Sequence, residues 1–318
     1  MKKTIIVVAT CILFLGACSK KQQDTRKVEF SSGGEKIVGV LHLPKEFSET
    51  KTYEAVVVTG SWTTVKEQMP NLYAKKLAEK GFVALTFDFR NYGESAGTPR
   101  NLEDPKKKAI DIANAVSYLQ TLPFVQKQIN GLAICASAGY MSEALSEGLK
   151  LKRVAYIAPW LHDAAIVEMV YGGKEGVKAL KEKSTLARSK FEKTNSVDYV
   201  LGVSDTDKTA AMFGPFDYYL NPQRGGIKEW GNQFAVMAWK GWLEFNPIAL
   251  ADAITTPILI VHSKDAAVPM GAEAFFAKLK GEKKFTWFEK ASQFDFYDQE
   301  PTTSQSVAQA TEWFQKGK

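Results

Sequence analysis

The chain has 318 residues, of which 45% are hydrophobic, 24% charged and 12% aromatic. That is the make-up of a globular protein and excludes a disordered, collagen-like or polytopic membrane chain, while three cysteines argue against a disulfide scaffold. The net charge of +6 is concentrated at the N-terminus, in Lys2, Lys3, Lys20, Lys21, Arg26 and Lys27 against Asp24. The remainder is nearly neutral, so nothing electrostatic points to nucleic acid.

Met1-Lys2-Lys3 precedes an apolar run, Thr4 to Ala17, that is shorter than the roughly 20 residues a spanning helix needs. It reads as the apolar core of a secretory signal sequence. The run closes with Leu15-Gly16-Ala17-Cys18, which resembles the lipobox of bacterial lipoproteins. The resemblance implies cleavage before Cys18 and lipid on its thiol, an anchor that holds to a membrane without spanning it. It also implies a place in the cell envelope, at the outer membrane or its periplasmic face, because Ser19 rather than Asp follows the cysteine. Residues 19–27 are polar and are expected to form a tether before a folded domain over 28–318. Cys135 is then the one cysteine of the folded body.

Past the tether the chain alternates. Val28–Phe30 and Ile37–Leu43 around Gly33-Gly34 read as a β-hairpin, and Ala55–Thr59 as a buried strand. Residues 69–80 have helical spacing between Pro70 and Gly81, and Phe82–Phe87 is the next strand. Residues 105–121 start with Pro105 and place Ile110, Ala113, Val116 and Leu119 at helical intervals. Strand Ile129–Cys135, helix Ser137–Glu147 and strand Val154–Ala158 follow. The chain ends with strand Ile258–His262, helix Ala272–Lys280, strand Phe285–Phe288 and helix Gln305–Phe314. This order predicts an α/β fold with a mostly parallel sheet covered by helices on both faces and ligands beyond the strand C-termini. Residues 161–250 break the alternation and are rich in aromatics, among them Trp230, Trp239 and Trp242. An insertion there is expected to sit over the crevice as a helical cap.

Ile134-Cys135-Ala136-Ser137-Ala138-Gly139 joins a buried strand directly to a helix. Small neighbours would let Ser137 sit on a strained strand-to-helix turn, the logic of the nucleophile elbow G-x-S-x-G, with Cys135 at its first glycine position. Cys135 itself is expected to pack into the sheet. Asp88-Phe-Arg90-Asn91-Tyr-Gly93-Glu-Ser95 resembles the D-x-R-G-x-G-x-S loop of α/β-hydrolases and is expected to brace neighbouring loops. Thr59-Gly60-Ser61-Trp62 stands where that superfamily has an oxyanion-donating turn. His262-Ser-Lys-Asp265-Ala-Ala-Val-Pro269 resembles the segment carrying the triad acid.

The body resembles bacterial α/β-hydrolases of the dienelactone-hydrolase and peptidase-like branch. The resemblance implies Ser137 as nucleophile, Asp265 as the acid that orients a base, and backbone N–H groups of Ser61 or Trp62 and of Ala138 as oxyanion donors. It also implies a histidine after the last strand, where Gln293 stands. Glutamine accepts no proton near neutral pH. Of the three histidines, His42 lies in the leading hairpin and His262 at a strand end; His162, beyond the strand next to that of Ser137, is the favoured displaced base. No Cys/His cluster has metal-ligand spacing and no Gly-rich phosphate loop precedes a helix, so neither a metal nor another cofactor is expected. Two functions remain open. One is a serine hydrolase acting on an ester, lactone, thioester or amide of a small apolar or aromatic acyl compound. The other is a non-catalytic lipoprotein binding such a ligand on the same scaffold. No protein partner is indicated.

Overall fold

The computed structural model describes residues 24–317; the signal sequence, Cys18 and residues 19–23 lie outside the described residues. Strand β1 (Thr25–Ser32) pairs antiparallel with β2 (Glu35–His42) across Gly33-Gly34, both at positive φ. The stretch expected as tether therefore ends early: Arg26 and Lys27 pair with Leu41 and Val40. β1 alternates exposed and half-buried positions, so its charges mark the wet face of an edge strand.

β3 (Tyr53–Thr59), β4 (Val83–Phe87), β5 (Val125–Ile134), β6 (Val154–Ile157), β7 (Ile258–Ser263) and β8 (Lys283–Phe288) complete the main sheet. The spatial order is β1-β2-β4-β3-β5-β6-β7-β8, antiparallel as far as the β2–β4 pair and parallel beyond. β4, β6 and β7 are buried along their whole length, as strands covered on both faces must be.

Between the strands run α1 (Met69–Glu79), α2 (Pro105–Thr121) and α3 (Ser137–Ser146); α4 (Ala164–Val170) and α5 (Gly173–Thr194) belong to the insertion. α6 (Pro269–Lys278) and α7 (Thr302–Gln315) complete the chain. α2 starts where Pro105 fills the first turn and the Asp104 carboxylate accepts from the Lys107 N–H. Its buried stripe runs through Ala109, Ile112, Val116 and Leu119, whereas Ile110 is exposed and Ala113 only half-buried. The apolar face is thus rotated from the expected one, because the buried Asp111 on the same helix must reach Arg90.

From β3 the chain moves to β4 on one side, and from β5 to β6 on the other. The turns leaving β3 and β5 therefore meet at the point where the strand order reverses, the place such sheets bind ligands.

Candidate active site

A cavity of about 760 Å³ opens at that point. The scaffold lines it with Ser61 and Trp62 after β3, Cys135 and Ala136 after β5, Asp265 after β7, and Gln293 and Tyr297 after β8. The insertion lines it with Tyr171, Trp239, Trp242 and neighbouring residues, and Trp160 joins them from the loop after β6.

The strained position of the strand-to-helix turn lies two residues before Ser137. β5 ends at Ile134, and Cys135 carries the strained left-handed backbone with φ 55°. Small residues at Ala133, Ala136 and Ser137 give that turn room. Ser137 is already inside α3, is fully buried and is absent from the cavity lining. Its hydroxyl donates to the carbonyl oxygen of Gly60 and lies 3.2 Å from that of Ile134. A hydroxyl so placed ties the turn after β3 to α3 and faces no ligand, against the expectation that it is the exposed nucleophile. Cys135, expected in the sheet, instead lines the cavity.

The expected donors shift with it. The Ala138 N–H is spent on the Cys135 carbonyl at 3.1 Å, within the first turn of α3. The backbone N–H groups of Ala136 and Trp62 are the ones that favour the Cys135 thiolate. The Ser61 hydroxyl belongs to a polar cluster beside the thiol, 2.9 Å from the Tyr297 hydroxyl and 3.1 Å from that of Tyr219. Burial pushes the Cys135 thiol above its usual range, although hydrogen bonds from Ser61, Tyr297 and those two N–H groups pull the other way.

Gln293 stands beside this cluster with its amide fully engaged. Its oxygen accepts from the Ala267 N–H at 3.1 Å, and its nitrogen donates to the Ala158 carbonyl at 3.0 Å and the Tyr297 hydroxyl at 3.3 Å. Asp265 is exposed on the cavity, and among the described residues no hydrogen bond joins its carboxylate to Gln293 or His162.

The structure does not bring His162 to the crevice. The ring is buried behind Trp160 and Trp242; Nδ1 accepts from the Trp160 indole at 2.9 Å, and Nε2 lies 3.3 Å from the Trp242 carbonyl. The ring packs edge-on against Trp242 at 4.7 Å, and burial lowers its pKa to about 4. Both nitrogens serve the wall, so none is free to take a proton from Cys135 or Ser137. His262 is fully buried, with Nδ1 accepting from the Ser263 N–H at 2.8 Å. His42 is buried in β2, away from the cavity lining.

The carboxylates of Glu67, Asp88 and Glu94 converge in the way a metal site would require. The Lys66 ammonium already fills that space, 2.6 Å, 2.8 Å and 2.7 Å from them.

What sequence reasoning missed is the register of the turn. Ala133-Ile134-Cys135-Ala136-Ser137 also has small residues two positions either side of a nucleophile, and that spacing was the available signal.

Comparison with known proteins agrees with this architecture. Residues 14–168 match the family described as Esterase FrsA-like. The uncharacterized protein YcjY of Escherichia coli is 38% identical over 136 residues, 42% of this chain and 44% of that protein, so the match spans less than half of the relative. Thiohydrolase aneE of Aspergillus aculeatus is 25% identical over 74% of this chain and 77% of its own length. The crystal structure of hypothetical protein PA2218 from Pseudomonas aeruginosa superposes with a TM-score of 0.79 at 25% identity, covering 92% of this chain and 94% of that one. The alpha/beta hydrolase GrgF from Penicillium sp. sh18 superposes with a TM-score of 0.77 at 18% identity, covering 92% and 98%. The strand order, the turn at its reversal point and these structural likenesses give the chain the α/β-hydrolase fold.

Proposed function

We propose that the protein is a thiol-dependent hydrolase of esters or thioesters, with Cys135 rather than Ser137 as the nucleophile. The observation that carries this reading is the position of Cys135: strained backbone at the end of β5, a place in the cavity lining, and backbone N–H groups of Trp62 and Ala136 that favour its thiolate. In this reading the sulfur attacks the carbonyl carbon and those two N–H groups hold the resulting oxyanion. Collapse breaks the bond to the leaving alcohol or thiol and leaves an S-acyl cysteine. Water then cleaves it to the free acid and restores the thiol.

Gln293 fits a cysteine better than a serine. A serine hydroxyl needs a neighbouring base to become nucleophilic, whereas a thiol ionises far more readily without one. The proton lost from Cys135 passes to solvent, because the Gln293 amide accepts none. Burial raises the thiol pKa, so the reactive thiolate is scarce at neutral pH and the rate climbs roughly tenfold per pH unit until the thiol ionises. The likeness to a protein named a thiohydrolase supports the thioester class.

The test is p-nitrophenyl octanoate hydrolysis against pH. Cys135→Ala should lose on the order of 100-fold or more, and Cys135→Ser should be equally poor for want of a base. Ser137→Ala should stay within about threefold. A Cys135→Ala chain as active as the parent overturns the reading. A second reading, a binding protein on this scaffold, is favoured by the locked Gln293 amide; saturable ligand binding with no turnover in any variant would establish it. The N-terminal sequence further supports anchoring through a lipid on Cys18, checked by whether Cys18→Ala releases the chain from the membrane fraction.

A further inference from the structure

The cavity draws its charges from two parts of the chain. Lys183 on α5 and Lys208 line it from the insertion, while Asp265 lines it from the scaffold, on the loop whose Ala267 holds Gln293. Both lysines are exposed, and neither has an ion-pair partner among the described residues. Their neighbours are spent: Lys181 pairs with Glu244 at 3.3 Å and Lys190 with Asp198 at 2.5 Å. Two unpaired ammonium groups thus border a cavity whose wall includes Tyr171, Trp239, Trp242 and Phe294. Val170 and Phe213, 39% and 47% exposed, add apolar surface to the lining from the insertion.

We propose that the substrate is an anionic amphiphile: an acyl compound whose chain lies on the aromatic wall and whose acidic group, a carboxylate or a phosphate, is held by Lys183 and Lys208. The inference rests on the reading of the cavity as an acyl site and adds its charge selectivity. The segregation of charge gives the ligand a direction. Its negative end is drawn to the insertion and away from Asp265, which leaves its carbonyl on the side of Cys135.

Binding is measured on the Cys135→Ala chain by quenching of tryptophan fluorescence, so that chemistry plays no part. The ligands share one chain length: dodecanoate, monododecyl phosphate, dodecanol and dodecyltrimethylammonium, each below its micelle concentration. At low salt at least one anion should bind about tenfold more tightly than dodecanol, an advantage that shrinks as salt is raised. Which anion binds more tightly names the acidic group. Adding Lys183→Gln and Lys208→Gln together should erase the preference while dodecanol affinity stays within about twofold, and Lys183→Glu with Lys208→Glu should turn the preference toward the ammonium. Equal affinity for anion and alcohol, tightest binding of the ammonium in the Cys135→Ala chain, a preference that survives the double variant, or no binding of any ligand would overturn the proposal. Failure of the Cys135 chemistry would appear in the hydrolysis assay alone and would leave the binding preference standing.

Discussion

The loop after β4 and the turn after β5 begin on the same sheet, and both carry motif-like residues, yet their side chains are used in opposite ways. After β4 every charge is answered inside the protein. The Asp88 carboxylate accepts from the N–H groups of Lys66 and Glu94 and from the Lys66 ammonium, and Arg90 is bound to Asp111 and Ser32. Asn91 stands at φ 73°, a left-handed position asparagine tolerates, where the superfamily pattern has glycine. Gly93 stands at φ 47°, where a Cβ would lie 2.2 Å from the Asp88 carboxylate. After β5, by contrast, a strained Cys135 lines a cavity together with the hydroxyl-bearing Ser61, Tyr219 and Tyr297, and among the described residues no base faces it. The comparison teaches that charge pairing separates a brace from a reactive centre: mutually neutralised charges hold shape, and a nucleophile on a cavity with no charged partner is available for chemistry.

The largest expected effect falls on the brace. Asp88→Ala should lower stability by about 3–5 kcal/mol, because it removes the fully buried carboxylate partner of the Lys66 ammonium and leaves the N–H groups of Lys66 and Glu94 without their acceptor, measured by denaturant unfolding. A loss below about 1 kcal/mol would mean the loop is not a brace.

The buried histidines come next. His42, His162 and His262 are each held near pKa 4 by burial, against about 6.5 in the unfolded chain. The native state therefore binds fewer protons than the unfolded one between these values. Stability should be flat above pH 6.5 and fall toward pH 4, by about 2 kcal/mol per histidine between pH 7 and 5. A chain with His262→Gln that keeps the full acid dependence would contradict this share.

Supplying the missing base sharpens the contrast from the other side. Gln293→His should raise p-nitrophenyl octanoate hydrolysis at pH 7 by about tenfold or more and flatten its pH dependence, since an imidazole beside the thiol can take its proton. An unchanged profile would place residue 293 out of reach of the sulfur. The smallest effect is expected at Ser137→Ala. Losing the bonds to Gly60 and Ile134 should cost about 1 kcal/mol of stability with little change in rate.

Much of the fold was legible in the sequence. Continuous apolar runs mark β3, β4, β6 and β7, and Pro105 and Gly81 punctuate their helices. The loop after β4 was legible because its geometry is local, written in Asp88, Gly93 and Ser95. The site was legible only in part. Asp265, Trp62 and Gln293 line the cavity, and Gln293 reaches the Tyr297 hydroxyl there. Cys135 rather than Ser137 is the strained residue of the turn, and because Ile134-Cys135-Ala136 is apolar throughout, sequence alone does not mark that position. The direction of His162 depends on Trp242, 80 residues away in the chain, and that packing leaves no local trace.

The most direct measurement is to expose the chain to S-octanoyl-N-acetylcysteamine, quench in acid, and locate any octanoyl group by fragmentation mass spectrometry. The account predicts an S-octanoyl group on Cys135 that forms faster as pH rises and is absent from Cys135→Ala. An octanoyl group on Ser137, or thioester turnover with Cys135 never modified, would contradict it.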